Sequence, residues 1–448
     1  MKNYIQFINH ASLLISNGNK SLLTDPWYSG SVFDDGWSLL FENSYEEIQN
    51  LLNQVNYIWV SHEHPDHFSI KFLSDYENIL KEKKIKFIFQ KTRDKRVISF
   101  LKIKGFEFIE LENNKSFIVD ENFSLKIQQC DFYDSALILE IGDKKIFNLN
   151  DCPLKTRSQI ENFKKRYGEC DFLFTQFSYA AWKGGKNNLN WRKSAAEEKI
   201  QTLKYQSEIF NSKYTIPFAS FIKFCDNYNF YLNDSVNTPA KILEDCRDIN
   251  SKILFLKPYQ IINLDNAQKE NTGYEFWNKI FNDKNNFNII ENTKKYDFKS
   301  LAYAFEVYKE RIFLKNSKKL IKLISRFKIF NFFQPIIIKL RDLNINIKLD
   351  LANNIFEEVQ SKPDIEMYSK SLYLIFKQDF GFDTLTVNGC FEEKSKNSFS
   401  KMSKNFAIGN LNNLGINLDL SIILNISLIL LFLRKLIYVK KNLSKISI

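Results

Sequence analysis

The run Ser61-His62-Glu63-His64-Pro65-Asp66-His67 follows directly on the apolar stretch Tyr57-Ile58-Trp59-Val60. It holds three of the chain's four histidines. A strand end splays successive side chains. A tight loop after it can turn His62 and His64 toward one ion, and Asp66 and His67 toward a second. Imidazole suits Zn²⁺ or Fe²⁺, and an aspartate can complete or bridge such a site. With four histidines in 448 residues, chance clustering on a surface loop is a poor explanation, and the run reads as a metal centre on the rim of a sheet.

Three histidines and one aspartate do not fill two coordination shells, so further anions are expected at other strand ends. Asp151 follows the strand Lys145–Leu149 and is placed to bridge two ions. Asp131 and Asp134 precede the strand Ala136–Ile141 and neighbour Cys130, and one of these three can supply a ligand. His10 follows the opening strand, as a proton donor, a substrate contact or a residue that holds the loop through a bond behind the ligands. Asp25, in Thr24-Asp25-Pro26-Trp27, reads as a turn aspartate that holds the metal loop by accepting backbone N–H groups.

Outward from the cluster, apolar strands alternate with amphipathic helices. Tyr4–Ile15 and Ser21–Leu23 pattern as strands around Asn17-Gly18-Asn19. Tyr45–Gln54, Phe72–Lys84, Lys91–Lys104 and Arg157–Lys165 pattern as helices. Ile85–Gln90, Phe123–Gln129, Ala136–Ile141, Lys145–Leu149 and Asp171–Thr175 read as strands. Polar side chains at the ends of such strands describe a layered α/β fold with its chemistry on one rim. Beyond it, Trp191–Glu208 is expected as a long helix and Pro217–Phe224 as a buried strand or turn. Ser371–Phe376 and Thr384–Asn388 are expected as paired strands around Phe380-Gly381-Phe382-Asp383. Residues 1–260 form the expected catalytic domain, and 261–448 a mixed α+β C-terminal extension.

A composition of 44% hydrophobic and 26% charged residues describes a folded chain. The formal charge of +11 permits an anionic partner, but no compact basic motif with interleaved stacking aromatics marks a specific nucleic-acid binder. Tyr303–Phe332 is a basic amphipathic stretch, either a solvated face or a dock for an anionic lipid or partner. Leu414–Leu436 is strongly apolar but contains Asp419 and Asn425, which suits a buried or interfacial helix, or else a membrane anchor. The six cysteines form no CxxC pair, and the opening MKNYIQFINHASLLI alternates like a strand instead of carrying a secretory apolar core. Reduced thiols and a cytoplasmic protein, with peripheral membrane contact as an option, are the expectation. Gly184-Gly185 lacks the spacing of a phosphate-binding P-loop, and no G-x-S-x-G elbow occurs.

His62-x-His64-x-Asp66-His67 matches the HxHxDH signature of the metallo-β-lactamase superfamily, which the chain resembles over residues 1–260. Asn9-His10-Ala11-Ser12 and Leu23-Thr24-Asp25-Pro26 resemble the L-ascorbate-6-phosphate lactonases and the phospholipase D-type N-acylphosphatidylethanolamine hydrolases. Asn150-Asp151-Cys152, Gln176-Phe177-Ser178-Tyr179-Ala180 and Pro217-Phe218-Ala219-Ser220 are similar to the metallo-β-lactamase portion of CMP-N-acetylneuraminate hydroxylases. The resemblance implies an αββα sandwich, His62 and His64 on a first metal, Asp66 and His67 on a second, and Asp151 between them. Two departures stand out: the histidine usual before the bridging aspartate is absent, and no histidine follows His67. The Rieske iron–sulfur module of those hydroxylases, which needs two Cys and two His, is accordingly not expected.

The resemblance and the residues together lead first to a hydrolase of a small anionic substrate, such as a sugar phosphate, nucleotide sugar or phospholipid. One or two divalent ions, zinc foremost and iron or manganese as alternatives, would activate water. Asp66 or Asp151 would orient or deprotonate that water, and His10 could assist the leaving group. The alternatives are an iron-dependent hydroxylase of a nucleotide sugar served by a separate redox partner, and a non-catalytic accessory protein that keeps a degenerate metal site.

Overall fold

The computed structural model describes residues 3–130, 133–266, 271–291, 294–327, 331–413 and 415–419. Strand alternation generates its layers. Ile5, Phe7, Leu13, Ile15, Trp59 and Ile88 project from one face of a first sheet, while Leu14, Leu23, Ile58, Val60, Phe87 and Phe89 project from the other. This sheet has seven strands in the order Ile261–Asn263, Tyr4–Asn9, Ser12–Ser16, Ser21–Thr24, Tyr57–Val60, Lys86–Gln90, Phe108–Leu111. A second seven-stranded sheet runs Lys252–Ile253, Tyr214–Phe218, Phe172–Gln176, Lys144–Asn150, Asp134–Ile141, Phe123–Cys130, Ser116–Asp120.

The inner faces of the two sheets share one core, where Leu125, Ile127, Leu139 and Phe174 meet Phe7, Leu13 and Trp59. Helices Tyr45–Leu52, Ile70–Asp75, Glu77–Glu82 and Arg96–Ile103 cover the outer face of the first sheet through Ile48, Phe72, Leu80 and Val97. Helix Arg157–Tyr167 covers the second through Ile160 and Phe163. The architecture is the expected αββα sandwich. Parallel pairing of Ser21–Thr24 with Tyr57–Val60, and of Lys144–Asn150 with Phe172–Gln176, brings the ends that precede Asp25, Ser61, Asp151 and Phe177 to one rim.

The sandwich draws in chain past residue 260. Ile261–Asn263 pairs antiparallel with Tyr4–Gln6, and the buried Trp277 stacks on Phe221 at 3.9 Å. The C-terminal part is a five-stranded sheet, Ile355–Val359, Ile345–Asp350, Ile336–Leu340, Ile365–Met367, Phe391–Glu393, with helices Phe298–Lys315, Ser369–Lys377 and Ser398–Asn413. Its core is continuous with Trp27, Trp37, Tyr179 and Trp182 of the N-terminal part.

The expected strand pair Ser371–Phe376 and Thr384–Asn388 is instead two helices, Ser369–Lys377 and Gly381–Asn388. Leu372, Ile375 and Phe376 are all buried at helical spacing, and Gly381 lets the second helix start against the first: a Cβ there would lie 2.1 Å from the Leu374 carbonyl oxygen. The single helix expected over Phe72–Lys84 breaks at Tyr76 into two. Asp131, and most of Leu414–Leu436, lie outside the described residues. Among the described residues no helix is long and apolar enough to cross a membrane.

A buried cation joins the two parts. The Lys370 Nζ donates to the Asp34 carbonyl at 3.0 Å and lies 3.6 Å from the Asp226 carboxylate. Burial pushes the neighbouring Asp34 carboxyl from 3.8 up to about 6, with Lys370 opposing the shift. A folded-state value above the unfolded one means that the group's stabilisation is complete below the unfolded value and lost as pH rises through the folded one. Between pH 5 and 8 the protein is expected to lose roughly 1–2 kcal/mol through this group. Urea unfolding of Asp34→Asn at the two pH values is expected to lack that loss.

Candidate metal centre

The rim residues owe their direction to local backbone irregularities. Register slips between Phe7 and Asn9, and His10 then takes a left-handed φ of 37°. Asp25 and Asn150, also at strand ends, have φ of 35° and 50°. Bulges and positive φ re-aim side chains at a cost that the surrounding fold must sustain.

Two groups of potential ligands result. In the first, His62 Nε2 lies 2.9 Å from His64 Nδ1, 3.7 Å from Asp134 Oδ1 and 3.9 Å from Asp151 Oδ2. In the second, Asp66 Oδ2 lies 3.2 Å from His67 Nε2 and 3.6 Å from His10 Nε2. The other Asp151 oxygen, Oδ1, is 3.6 Å from His67 Nε2, so this carboxylate faces both groups. Ligand atoms within each of the sets His62, His64, Asp151 and His10, Asp66, His67 lie within 4.8 Å of one another.

Both His10 ring nitrogens, Asp66 Oδ1 and His67 Nε2 are buried and make no hydrogen bond. A buried polar group left unpaired costs about 1–3 kcal/mol. Several converging on one point fit a cation held among them, and the donor set of imidazole and carboxylate suits a divalent transition ion.

The atoms behind the ligands fix their orientation. Asp25 Oδ1 accepts the Ser61 N–H at 2.8 Å; its Oδ2 accepts from Asn150 Nδ2 at 2.6 Å and lies 3.1 Å from His67 Nδ1. His67 therefore keeps Nε2 for an ion. Ser61 Oγ, 2.9 Å from His62 Nδ1, does the same for His62. Ser135 Oγ and Gln90 Nε2 donate to the Ser61 carbonyl at 2.7 and 3.1 Å, which anchors the loop to both sheets. Gln176 Nε2 donates to Asp151 Oδ1 at 2.6 Å while Lys199 donates to Gln176 Oε1, so the ammonium dictates which way the amide faces.

Burial, reinforced by His67 and His64, holds the His62 imidazole well below its usual range and hence neutral, as a ligand must be. For His64 burial acts downward too, but the nearby Asp383, Asp66 and Asp134 carboxylates prevail and lift it to about 9. Burial, then the Asp151 charge, raises the Asp134 carboxyl to about 7.

The structure brings together His10, His62, His64, Asp66, His67, Asp134 and Asp151. His10, expected as a proton donor or supporting contact, stands with Asp66 and His67 among the potential ligands. Asp383, Gln176 and Lys199 were not singled out as site residues. Asp383 comes from helix Gly381–Asn388, its Oδ2 3.9 Å from His64 Nε2. Cys130 and Cys152, expected as reduced thiols, form a disulfide with a Cα–Cα distance of 5.7 Å, and Cys130 is thereby withdrawn from the candidate ligands. Hairpin pairing explains the encounter: Cys130 faces Asp134 across one turn, and the next strand delivers Cys152 behind Asp151.

Residues 4–132 match the beta-lactamase superfamily domain. The match is confined to this N-terminal stretch, which bears the superfamily's domain pattern. Members of this superfamily hold one or two metal ions, and most are enzymes. The metallo-β-lactamase-type region is similar to cytidine monophosphate-N-acetylneuraminic acid hydroxylase from Danio rerio, 23% identical over 258 residues, covering 54% of this chain and 42% of that protein. The Xenopus laevis protein of the same name is 26% identical over 235 residues, covering 48% of this chain and 38% of that one. The chain thus spans less than half the length of these relatives. Among solved structures, the metallo-beta-lactamase fold protein YhfI from Bacillus subtilis is similar with a TM-score of 0.40 and 11% identity, covering 58% of this chain and 98% of that one.

Proposed function

We propose that this protein is a metal-dependent hydrolase acting on a small anionic substrate. The observation that carries the reading is Asp151, whose two carboxylate oxygens face the two histidine groups separately. His62, His64 and Asp134 would hold one ion, His10, Asp66 and His67 the other, with Asp151 shared. A divalent ion supplies Lewis acidity there and brings the pKa of water toward about 7 in the case of zinc. Gln176 and Lys199 keep the Asp151 carboxylate turned to the centre, and Asp383 restrains the outer face of His64. With His10 Nε2 directed at the second group, leaving-group protonation falls to another residue.

Beside Glu63 a cleft of about 780 Å³ opens, lined by Lys91, Arg93, Lys95, Arg96 and Lys315 together with Asp94 and Asp379. Arg96 is held by Asp94 and stacks over Phe380 at 4.0 Å, whereas Arg93 and Lys315 have no carboxylate partner among the described residues. Guanidinium and ammonium groups so placed suit a phosphate or carboxylate.

A second reading, iron-dependent hydroxylation with electrons from a separate donor, is favoured by the two carboxylates that face His62 and by the names of the relatives. The test is to load the full chain with zinc, manganese or iron and offer phosphomonoesters, phosphodiesters and lactones, with and without oxygen and reductant. Turnover with zinc or manganese that needs no oxygen, and is lost in His62→Ala, is expected. Turnover confined to iron with oxygen and reductant would overturn hydrolysis in favour of the second reading.

A further inference from the structure

Helix Lys318–Arg326 reads Lys-Lys-Leu-Ile-Lys-Leu-Ile-Ser-Arg, with four cations and no acid. Only Ile321 is buried. Leu323 is 49% and Phe327 54% exposed, and at a spacing of four they share a face, flanked by Lys319 and Arg326. Leu314, at the end of the preceding helix, is 86% exposed. Single exposed apolar residues are ordinary; here three lie on one short basic segment. Elsewhere surface lysines find carboxylates, as Lys81 does Glu77, Lys95 does Glu110 and Lys241 does Asp245. Lys319, Lys322 and Arg326 have none among the described residues.

An independent observation concerns where the chain leaves this helix. The Ser317 N–H donates to the Leu418 carbonyl at 2.8 Å, and the Leu418 N–H donates to Asn316 Oδ1 at 2.7 Å. The sequence after Asp419 therefore departs beside the helix N-terminus. Residues 420–448 are rich in Leu and Ile, carry Arg434, Lys435, Lys440, Lys441 and Lys445, and contain no Asp or Glu. A basic segment cannot offer counter-charge to a basic helix. Both match the same partner, an apolar phase with an anionic surface.

We propose that the face carrying Leu314, Lys319, Leu323, Arg326 and Phe327 seats the protein on an anionic lipid bilayer. The leucine and phenylalanine side chains reach the acyl boundary while the cations contact lipid phosphates. None of these side chains belongs to either group of potential ligands, so their replacement is expected to leave the metals in place.

The test is co-sedimentation of the full chain with vesicles of equal parts phosphatidylcholine and phosphatidylglycerol, against vesicles of phosphatidylcholine alone. Binding to the anionic vesicles is expected. Replacing Lys319, Lys322 and Arg326 together by Gln is expected to reduce it by about a hundredfold, at about fivefold per charge. Leu323→Ser with Phe327→Ser is expected to weaken it further while metal content and melting temperature stay unchanged. Equal binding to neutral vesicles, or undiminished binding by the Gln variant, would overturn the proposal. So would preference for a DNA duplex over the vesicles. A Leu323→Cys thiol that resists a water-soluble maleimide without vesicles would show the face already covered by the chain itself, and would overturn it too.

Discussion

Asp151→Ala is expected to leave no more than one ion of the two that the proposed centre would hold, and to weaken that one by at least about a hundredfold. The carboxylate faces His62 through Oδ2 and His67 through Oδ1, so truncation subtracts an anionic ligand from both groups at once. Losing a residue that merely supports a ligand already costs metal affinity 10–100-fold, and a shared ligand sets a floor above that. Three carboxylates become two among four imidazoles, which also removes charge that balances the ions. Gln176 and Lys199 lose the group that they orient. Metal content by mass spectrometry after dialysis, with chelator competition for affinity, checks this. Asp134→Ala is the informative contrast: Asp134 stands close to His62 alone among the histidines, so only the first ion is expected to weaken.

Asp25→Ala is expected to damage the fold and the second metal group together. The carboxylate is 1% exposed, and it receives the Ser61 N–H and the Asn150 amide while lying against His67 Nδ1. Removing it leaves the buried Ser61 N–H without its acceptor and takes the carboxylate from His67 Nδ1, while the Asn150 amide keeps Ser61 Oγ, at a cost of about 3–5 kcal/mol for breaking a buried charged network. It also frees the His67 ring to turn, with an expected 10–100-fold loss in metal affinity. Asp25→Asn is expected to fall between. Its carbonyl can still accept one bond, and asparagine tolerates the left-handed backbone found here. Calorimetry and chelator competition measure the two effects separately. A variant that melts as the wild type does, with metal affinity intact, would contradict the role given to this residue.

Much of this was legible because it is local. Alternation in Tyr57–Val60 and Lys86–Gln90 assigns each side chain to a layer, and the histidines directly after a strand end had to lie on a rim. Asp25 could be read as a loop-holding turn residue from its neighbours Thr24 and Pro26, and it does accept the Ser61 N–H. What could not be read depends on distant chain. Asp383 reaches His64 only because the C-terminal part packs in one core with Trp27 and Trp37. The six-residue apolar run Ser371–Phe376 is compatible with either strand or helix, and burial of Leu372, Ile375 and Phe376 decides for helix. His10 could be placed near the pocket, but the bulge after Phe7 that turns it toward Asp66 has no sequence signature. The Cys130–Cys152 bond depends on the register of two hairpins.

The central claim is that two ions share Asp151, and anomalous X-ray scattering from crystals of the metal-loaded protein tests it most directly. Two peaks are expected, one among His62, His64 and Asp134 and one among His10, Asp66 and His67, each within bonding distance of an Asp151 oxygen. A single peak, or peaks that leave Asp151 uncoordinated, would contradict it.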